Sequence, residues 1–470
     1  MISDQSFYKY IKCPAWFQKD LQEGDQRDAL LKLLQEEGLL QDRKRALLQK
    51  EEDEFTEVQS DDVEEAALKT VQLMKAGEQT IVGGVLLSDF LVARPDVLER
   101  VEGQSDLGDW YYVAVDFKKS STLKDEYILQ GVFYAYVLRQ IQGLRPQKGY
   151  VVHAKGERST FLIADYYNKF HGLLGRMKDI RAGHTERHFL TSGYKQSPYF
   201  EEFLAEVMEC DDLSLLNRIW KKEVDALQDA GFHTVEDLAN ASLPNLEKIH
   251  DISMDRLYFL QQQAIALKDD RVIVITEPEF DKEPEGALVI DIESDPLRDA
   301  DYLFGVLDVD SRGGSTFHEF YAENEDQLEE NWHKFTAFLE RKSHKSIYHY
   351  GWYEVDVFRR LTERYGAPES VKEQFEERMV DVIVKMRNYV IFPLPFYSLK
   401  DIAKHLGFNW RDDDANGLNS ILWYEKYLEN NEQGDTEAAA SWKKRIVEYN
   451  EDDVRATWFI RNWALKHAKR

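Results

Sequence analysis

Two stretches of this 470-residue chain place carboxylates at the ends of apolar strands. Ala287–Ile290 runs directly into Asp291 and Glu293, and an aromatic strand far upstream ends in Asp116 and Lys118. A carboxylate at such a position costs free energy unless a cation or a hydrogen-bond donor compensates its charge. Divalent cations are common partners of clustered carboxylates, and they commonly serve phosphate chemistry. The sequence therefore predicts a fold with two separate metal sites.

Composition limits the class of protein. The length exceeds one hydrophobic core, so we expect two or three domains, and the 43% hydrophobic content is that of a folded protein. Only Cys13 and Cys210 are present, which excludes a disulfide scaffold and a four-cysteine metal site built from this chain alone. No apolar run reaches membrane-spanning length, and Met1–Asp4 does not begin a signal peptide. We expect a cytoplasmic protein without a membrane partner.

The net charge of −27 disfavours general binding of polyanions. Local basic stretches such as Arg43-Lys44-Arg45 can coexist with an acidic surface, and bound metal ions would offset part of the carboxylate charge. Any nucleic-acid binding outside the two sites is therefore expected to be weak and sensitive to salt.

Residues 1–200 combine helices with a β-rich centre. Leucine spacing among charged residues predicts a helix over Gln26–Glu52. Farther along, the pattern predicts three strands, a helix and a fourth strand, at Gln79–Leu87, Val97–Val101, Trp110–Phe117, Tyr127–Ile141 and Gly149–His153. This β-β-β-α-β order suits a small α/β nuclease core.

Residues 201–270 are predicted to be helical, with periodic segments at Leu215–Ala230 and Asp255–Leu267. The pattern resembles a helix–hairpin–helix module, in which glycine-containing turns hold a backbone phosphate. The second turn, His250–Ser253, has no glycine, so a packing role is favoured over phosphate binding. The polar, Pro- and Glu-rich residues 271–285 are predicted to form a linker.

The C-terminal part has a different order of secondary-structure elements. Its residue pattern predicts three consecutive strands, a helix and a further strand, at Gly286–Ile292, Tyr302–Asp308, Ser315–Tyr321, Asp326–Lys342 and Ser346–Tyr350. Three meandering strands followed by alternating helix and strand is the order of an RNase H-like fold.

Asp291 and Glu293 are separated by one residue, so both side chains lie on one face of a strand. A solvated strand end would explain these two residues alone. Downstream, Tyr449 and Asp453 are four residues apart, which places them on one face of a helix. This Asp is suited to complete a metal site, and the Tyr hydroxyl to orient an attacking water.

These residues resemble the motifs of DEDD exonucleases in the RNase H-like superfamily, in the subgroup with tyrosine in the third motif. The resemblance covers about 285–470, with Asp291-Ile292-Glu293 as the first motif and Tyr449–Asp453 as the third. It implies metal-binding roles for Asp291, Glu293 and Asp453, and a water-orienting role for Tyr449. It also implies hydrolysis assisted by two divalent ions, without a covalent intermediate.

The second motif departs from the family pattern of an aromatic residue followed by Asp. Register with the family places Glu354 at the metal-ligand position, and Asp356 is the alternative two residues later. Asp381 lies where these enzymes often carry a further Asp, and a helix cap is an equally good interpretation of it.

At the N-terminal site, Asp116 and Lys118 share one strand face. A carboxylate there can hold a metal ion, and the lysine can position water or stabilise the transition state. Alternating charges also mark any exposed strand. The context adds Asp96 before a neighbouring strand, and Gln130 and Tyr134 four residues apart on the predicted helix.

The arrangement resembles PD-(D/E)xK nucleases of the RecB type, including CRISPR-associated exonucleases of that lineage, over about 1–200. Ser6–Pro14 also resembles the entry segment of those proteins. The resemblance implies that Asp96, Asp116 and Lys118 form the catalytic core, with the two aspartates as metal ligands. It also implies that Gln130 and Tyr134 form the associated helix motif. Asp89 is an alternative to Asp96 for the second-motif position. Asp96 is preferred because the segment Arg94–Val101 leads directly into the strand that carries Asp116.

Two positions depart from the RecB-type pattern. Many relatives carry a His or Glu ligand on an early helix, where this chain offers Gln41-Asp42. Many also hold an iron–sulfur cluster through four cysteines, of which only Cys13 remains. We therefore expect no cluster, and Cys13 is predicted to be a buried structural residue.

The combined order resembles a family of predicted two-domain nucleases. It predicts a multidomain α/β protein with a PD-(D/E)xK restriction-endonuclease-like domain (1–200), a helical connector (201–270) and an RNase H-like domain (285–470). The expected activity is Mg²⁺- or Mn²⁺-dependent cleavage of DNA or RNA that is single-stranded or has free ends, first of all at the C-terminal site. The alternative is a catalytically decayed nucleic-acid-binding or scaffold protein of a repair or defence system.

Overall fold

The computed structural model describes residues 1–24, 55–60, 62–118, 123–153, 156–276, 280–281, 283–295, 298–414 and 417–467. The helix predicted over Gln26–Glu52, with Gln41-Asp42 inside it, lies outside these residues. The chain forms two compact units, Met1–Glu209 and Cys210–Arg470. Within the described residues, every helix is too short or too polar to cross a membrane.

The described part of the N-terminal unit combines helices with a six-stranded and a three-stranded sheet. They are α1 (Asp4–Lys12), α2 (Pro14–Glu23), α3 (Val63–Ala76), α4 (Asp125–Gln142), α5 (Ile163–Arg181) and α6 (Phe200–Glu209). The strands are β1 (Ile2–Ser3), β2 (Thr56–Glu57), β3 (Thr80–Val82), β4 (Leu86–Ser88), β5 (Leu91–Ala93), β6 (Val97–Ser105), β7 (Gly108–Lys118), β8 (Lys148–His153) and β9 (Arg158–Leu162).

The central sheet has the order β2-β3-β6-β7-β8-β9. Strands β6 and β7 form an antiparallel hairpin, and β7 pairs in parallel with β8 after the crossover helix α4. The predicted single strand over Gln79–Leu87 is wrong, because β3 and β4 belong to different sheets. Between them Gly83 adopts φ +65°, a backbone conformation that ends an extended strand.

The C-terminal unit begins with helices and continues into a second large sheet. Its helices are α7 (Lys221–Asp229), α8 (Val235–Ala239), α9 (Leu243–Leu246), α10 (Met254–Asp269), α11 (Leu328–Arg341), α12 (Tyr353–Tyr365), α13 (Glu369–Arg378), α14 (Val382–Met386), α15 (Leu399–His405), α16 (Gly417–Glu432) and α17 (Thr436–His467). Its strands are β10 (Ile273–Val274), β11 (Ala287–Asp295), β12 (Ala300–Val309), β13 (Ser315–Tyr321), β14 (Ser346–His349), β15 (Met379–Asp381) and β16 (Val390–Ile391).

The predicted helix over Leu215–Ala230 is wrong in its first half, since α7 begins only at Lys221. Arg218 adopts φ +57°. A non-glycine residue in this left-handed region interrupts a right-handed helix. Asp255–Leu267 does lie within one helix, α10.

The large C-terminal sheet has the order β13-β12-β11-β14-β15. The first three strands are antiparallel, and β14 and β15 are parallel to β11. The predicted meander followed by alternating helix and strand is thus confirmed.

Side chains of β11 alternate between two hydrophobic cores. Ala287 and Val289 pack in the core that includes α17, whereas Leu288, Ile290 and Ile292 pack in the core of α11, α12 and α13. Continuing the same alternation, Asp291 and Glu293 lie on the α17 side, and α17 packs against β11 and β12. The strand therefore delivers both carboxylates to the helix that carries Asp453.

Gly305 of β12 permits this close approach. It pairs with Asp291 across the sheet, and a Cβ atom at this position would lie 1.6 Å from Oδ1 of Asn450. We expect Gly305→Ala to lower the free energy of unfolding by about 1–3 kcal/mol, because α17 cannot yield without disturbing its core contacts. Urea unfolding measures this loss.

Gly417→Ala is the control for that substitution. Gly417 begins α16 in the same unit, and a Cβ there would meet no atom within 4 Å. Equal unfolding midpoints for the two variants would contradict the steric role of Gly305.

Candidate active site

Three carboxylates meet between β11 and α17. Asp291 and Glu293 come from the strand, and Asp453 comes from the helix. One oxygen from each lies within 4.8 Å of the others. The structure thus brings together residues that are 160 positions apart in the chain, at a spacing suited to shared cations.

Each carboxylate of this acidic triad accepts a hydrogen bond from a neighbouring side chain. Asn450 Nδ2 donates to Asp291 Oδ2 at 2.7 Å, and Ser420 Oγ donates to Glu293 Oε2 at 2.5 Å. Trp410 Nε1 donates to Asp453 Oδ1 at 2.6 Å. Other oxygens of the carboxylates stay free of these bonds, so the donors orient the triad without neutralising it.

The electrostatics of the acidic triad favour a bound cation. Burial, together with the charges of neighbouring carboxylates, raises the pKa of Glu293 to about 8 and that of Asp291 well above its usual range. Burial likewise raises the pKa of Asp453 to about 7, against the opposing effect of the Trp410 hydrogen bond. Within the described part of the chain, no Lys or Arg forms an ion pair with these three groups. The ammonium of Lys400 attracts Asp453 and Glu293 only from beyond ion-pair distance, so a divalent ion fits this oxygen-rich site.

Glu354 lies beside the acidic triad, in the first turn of α12. Its charge contributes to the raised pKa of Asp291, and its own pKa is raised by burial. Its Oε2 atom has no hydrogen-bond partner and lies 3.6 Å from Nδ1 of buried His349, which also has none. Asp356, the alternative ligand, is exposed.

Asp381 caps a helix. Its Oδ1 accepts hydrogen bonds from the backbone N–H groups of Ile383 and Val384 at the start of α14, and from Gly351. The bonds from Ile383 and Val384 are the ones expected of an N-cap residue, and the bond from Gly351 is a tertiary contact. The capping interpretation accounts for this aspartate.

Tyr449 lies next to Asp453 and is buried against Trp423. Its hydroxyl forms a hydrogen bond with Asp453, and burial together with the nearby carboxylates raises its pKa, so the phenol stays protonated. The ammonium of Lys400 lies 4.8 Å from the centre of the Tyr449 ring. The tyrosine is thereby fixed with its hydroxyl at the acidic triad.

Sequence reasoning missed several contributors to this site. Asn450 lies within the third motif, between Tyr449 and Asp453, so its position in the sequence was a signal for a role at this site. Trp410 and Ser420 reach the acidic triad from other parts of the chain, Lys400 lies over Tyr449, and His349 lies beside Glu354. None of these four contacts has a local sequence signal.

The N-terminal carboxylates are also buried. Asp96 and Asp116 are linked through the backbone: the N–H of Phe117 donates to Asp96 Oδ2 at 2.7 Å, and the N–H of Asp96 donates to Asp116 Oδ1 at 3.3 Å. This exchange follows from the register of the β6–β7 hairpin, in which Val97 pairs with Val115.

The remaining predicted residues surround Asp116. Lys118 Nζ lies 2.7 Å from Asp116 Oδ2 and donates to Gln130 Oε1 at 2.9 Å. On α4, Gln130 Nε2 donates to the Tyr134 hydroxyl at 2.7 Å, and that hydroxyl donates to Asp116 Oδ2 at 3.3 Å. The structure therefore gathers all five predicted N-terminal residues into one network, which already contains its own cation.

Asp4 joins this network, and sequence reasoning missed it. It begins α1, accepts a 3.5 Å hydrogen bond from Gln130 Nε2, and has its pKa raised to about 6 by burial and by the charge of Asp116. Asp89, the competitor of Asp96, lies in an exposed turn with φ +50°. Among the residues that the structure describes, a compact set of three metal-ligating groups occurs only at the C-terminal site.

Comparison with known proteins supports the C-terminal assignment. Residues 288–465 match the family model of the RNase H superfamily, a range that contains the whole acidic triad. No curated protein matches the chain. The C-terminal unit therefore contains an RNase H-like domain, and this domain together with the triad indicates a metal-dependent nuclease with a nucleic-acid substrate.

The raised pKa values predict how stability depends on pH in the presence of a chelator. Glu293 binds its proton more tightly when folded than when unfolded, so stability falls as pH rises from about 4.5 towards 8. Each such proton contributes a slope of up to about 1.4 kcal/mol per pH unit. Glu293→Gln should flatten this decline, measured by urea unfolding in EDTA between pH 5 and pH 8.

Glu319→Gln is a suitable control for that experiment, because it removes an exposed carboxylate of β13 in the same unit. It should follow the wild-type profile. Identical slopes for wild type and Glu293→Gln would show that Glu293 ionises freely in the folded protein.

Proposed function

We propose that this protein is a Mg²⁺- or Mn²⁺-dependent nuclease that hydrolyses DNA or RNA, single-stranded or with free ends, at its C-terminal site. The observation that carries this proposal is the acidic triad of half-buried Asp291 with buried Glu293 and Asp453, in which one oxygen of each residue lies within 4.8 Å of the others. Such an accumulation of charge is costly without a cation, and the surrounding fold is that of nucleic-acid hydrolases.

The residues take distinct roles in hydrolysis. Asp291, Glu293 and Asp453 would hold the metal, which when bound activates water and offsets charge on the phosphate. Tyr449, fixed by its hydrogen bond to Asp453, orients the water. The water oxygen forms a bond to phosphorus and gives up one proton, the bond to the leaving oxygen breaks, and that oxygen takes up one proton, so no net proton is consumed.

Glu354 is the proposed fourth ligand. It is buried, its Oε2 has no hydrogen-bond partner, and its charge acts on Asp291. Asp356 lies two residues later on the exposed side of the same helix. Nδ1 of His349, 3.6 Å away, is an electrostatic partner of this oxygen but lies beyond hydrogen-bonding distance. A buried carboxylate oxygen without a hydrogen bond is expected to gain a ligand in the working protein, and a metal ion is a simple candidate.

The N-terminal unit is proposed to be a RecB-type PD-(D/E)xK domain. The β-β-β-α-β order and the network around Asp116 support this assignment. The domain boundaries at 1–200, 201–270 and 285–470 likewise stay predictions.

A second candidate function applies to the N-terminal unit alone: nucleic-acid binding without catalysis. It is favoured by the 2.7 Å ion pair between Lys118 and Asp116, which supplies the positive charge that a metal would otherwise supply. An active site of this type would have to exchange that ion pair for metal coordination.

Cleavage assays test the proposed activity. Labelled single- and double-stranded DNA and RNA are incubated with Mg²⁺ or Mn²⁺, and Asp453→Asn is compared with wild type. We expect the variant to lose at least about 10²-fold in rate, because a ligand of the metal is lost. Mn²⁺ should also raise the melting temperature of the wild type by linkage, and this rise should shrink in the variant.

No cleavage of any of these substrates, together with no effect of Mn²⁺ on melting, would exclude the nuclease. If the protein still bound nucleic acid under those conditions, the result would support the alternative of a non-catalytic binding or scaffold protein.

A matched pair of variants tests the second motif. Glu354→Gln should lower the cleavage rate about 10-fold or more, whereas Asp356→Asn, on the same helix, should stay near wild type. Both substitutions replace one carboxylate by an amide, so a difference in cleavage rate between the variants reflects the position of the carboxylate and not the kind of change. The reverse order of effects would assign the ligand to Asp356.

Lys118→Ala tests whether the N-terminal site cuts. If both sites are active, Lys118→Ala and Asp453→Asn should each retain partial activity with different product patterns, resolved on a sequencing gel. Wild-type products and rate from Lys118→Ala would mean that only the C-terminal site is active.

A further inference from the structure

A small cleft opens beside the acidic triad. Its volume is about 180 Å³, and its lining residues are Lys400, Lys404, Asn409, Trp410, Asp412 and Asp413. Trp410 joins the cleft to the triad, because its indole N–H donates to Asp453.

Lys400 is held between two aromatic rings at this cleft. Its Nζ atom lies 4.8 Å from the centre of the Tyr449 ring and 5.5 Å from that of Trp410. Both rings belong to residues that hydrogen-bond Asp453. The rings fix the position of the ammonium group next to the triad, since a cation over an aromatic face is attracted to it.

Other lysines in poorly exposed positions are paired with carboxylates. Lys345 lies against Asp308, and Lys118 against Asp116. In contrast, Lys400 forms no ion pair with any residue that the structure describes, although burial lowers its pKa. Its charge is attracted by those of Asp453, Glu293 and Asp412, but each of these carboxylates lies beyond ion-pair distance. In a chain with a net charge of −27, this half-buried ammonium therefore keeps donors available for an anion from outside the protein.

Lys404 extends this positive charge. It lies one helical turn after Lys400 on α15, it is exposed, and it lines the same cleft. Of the two acidic residues in the lining, Asp412 is already bound by the guanidinium of Arg445. Asp413 is exposed at the edge, where solvent screens its charge.

We propose that Lys400 binds a phosphate oxygen of the substrate strand at the acidic triad, and that Lys404 binds a neighbouring phosphate of the same unpaired strand. This inference rests on the proposed nuclease function. Lys400 is then a catalytic residue that stabilises negative charge on the phosphate as the P–O bond breaks, whereas Lys404 contributes to binding alone.

Methionine variants test this assignment, because Met keeps the aliphatic stem and removes the charge. With a fluorescent single-stranded oligonucleotide and Mn²⁺, Lys400→Met should lower kcat/KM at least about 10-fold, mainly through kcat. Lys404→Met should raise KM with little change in kcat. Lys334→Met is the control: it removes an exposed lysine of α11 that pairs with Glu330.

Three further measurements separate charge from packing. Lys400→Arg should recover part of the activity. The Mn²⁺-induced rise in melting temperature should persist in Lys400→Met, since that lysine does not bind the metal. In binding assays on the Asp453→Asn background, the slope of log K against log salt should fall by about one for each lysine removed.

The outcomes distinguish this inference from the function on which it rests. A wild-type protein that neither cleaves nor responds to Mn²⁺ refutes the nuclease itself. A wild type that cleaves, with Lys400→Met and Lys404→Met indistinguishable from Lys334→Met in rate and salt slope, overturns the phosphate assignment alone. Loss of both melting temperature and the Mn²⁺ response in Lys400→Met would also overturn it, because Lys400 would then act by packing.

Discussion

Repulsion among buried carboxylates is the constraint on which the C-terminal unit depends. Asp291, Glu293 and Asp453 are held together by a strand and a helix whose hydrophobic contacts are extensive enough to oppose that repulsion. Neutral donors, an amide, a hydroxyl and an indole, orient the carboxylates, and the ammonium of Lys400 attracts two of them from beyond ion-pair distance. The arrangement therefore favours binding of a cation, which connects packing to the proposed chemistry.

In the N-terminal network, the charge of the carboxylates is compensated by a lysine of the protein itself. Lys118 contacts Asp116 directly, and an amide and a phenol complete the hydrogen bonds around it. Charge balance is thus internal to the protein. The two groups of carboxylates therefore differ in how strongly their surroundings favour binding of a metal ion. This difference favours the C-terminal site as the one that binds metal.

Several features could be predicted because they follow from local periodicity. The alternation of β11, the meander and the four-residue spacing of Tyr449 and Asp453 are properties of single elements. Errors arose where one backbone angle decided the outcome, as at Gly83, which divides a predicted strand, and at Arg218, which delays a helix. Whether Asp381 is a cap or a ligand also depended on which N–H groups lie within reach of its side chain.

Local periodicity in the sequence fixes which carboxylates share a strand face or a helix face, and it also gives the order of elements of the RNase H-like domain. Only the tertiary structure decided that Asp291, Glu293 and Asp453 converge, that Glu354 is buried while Asp356 is exposed, and that Lys400 lies over Tyr449. The reason is physical. Periodicity fixes the direction of a side chain relative to its own element, whereas distances between elements are set by packing contacts that no local pattern encodes.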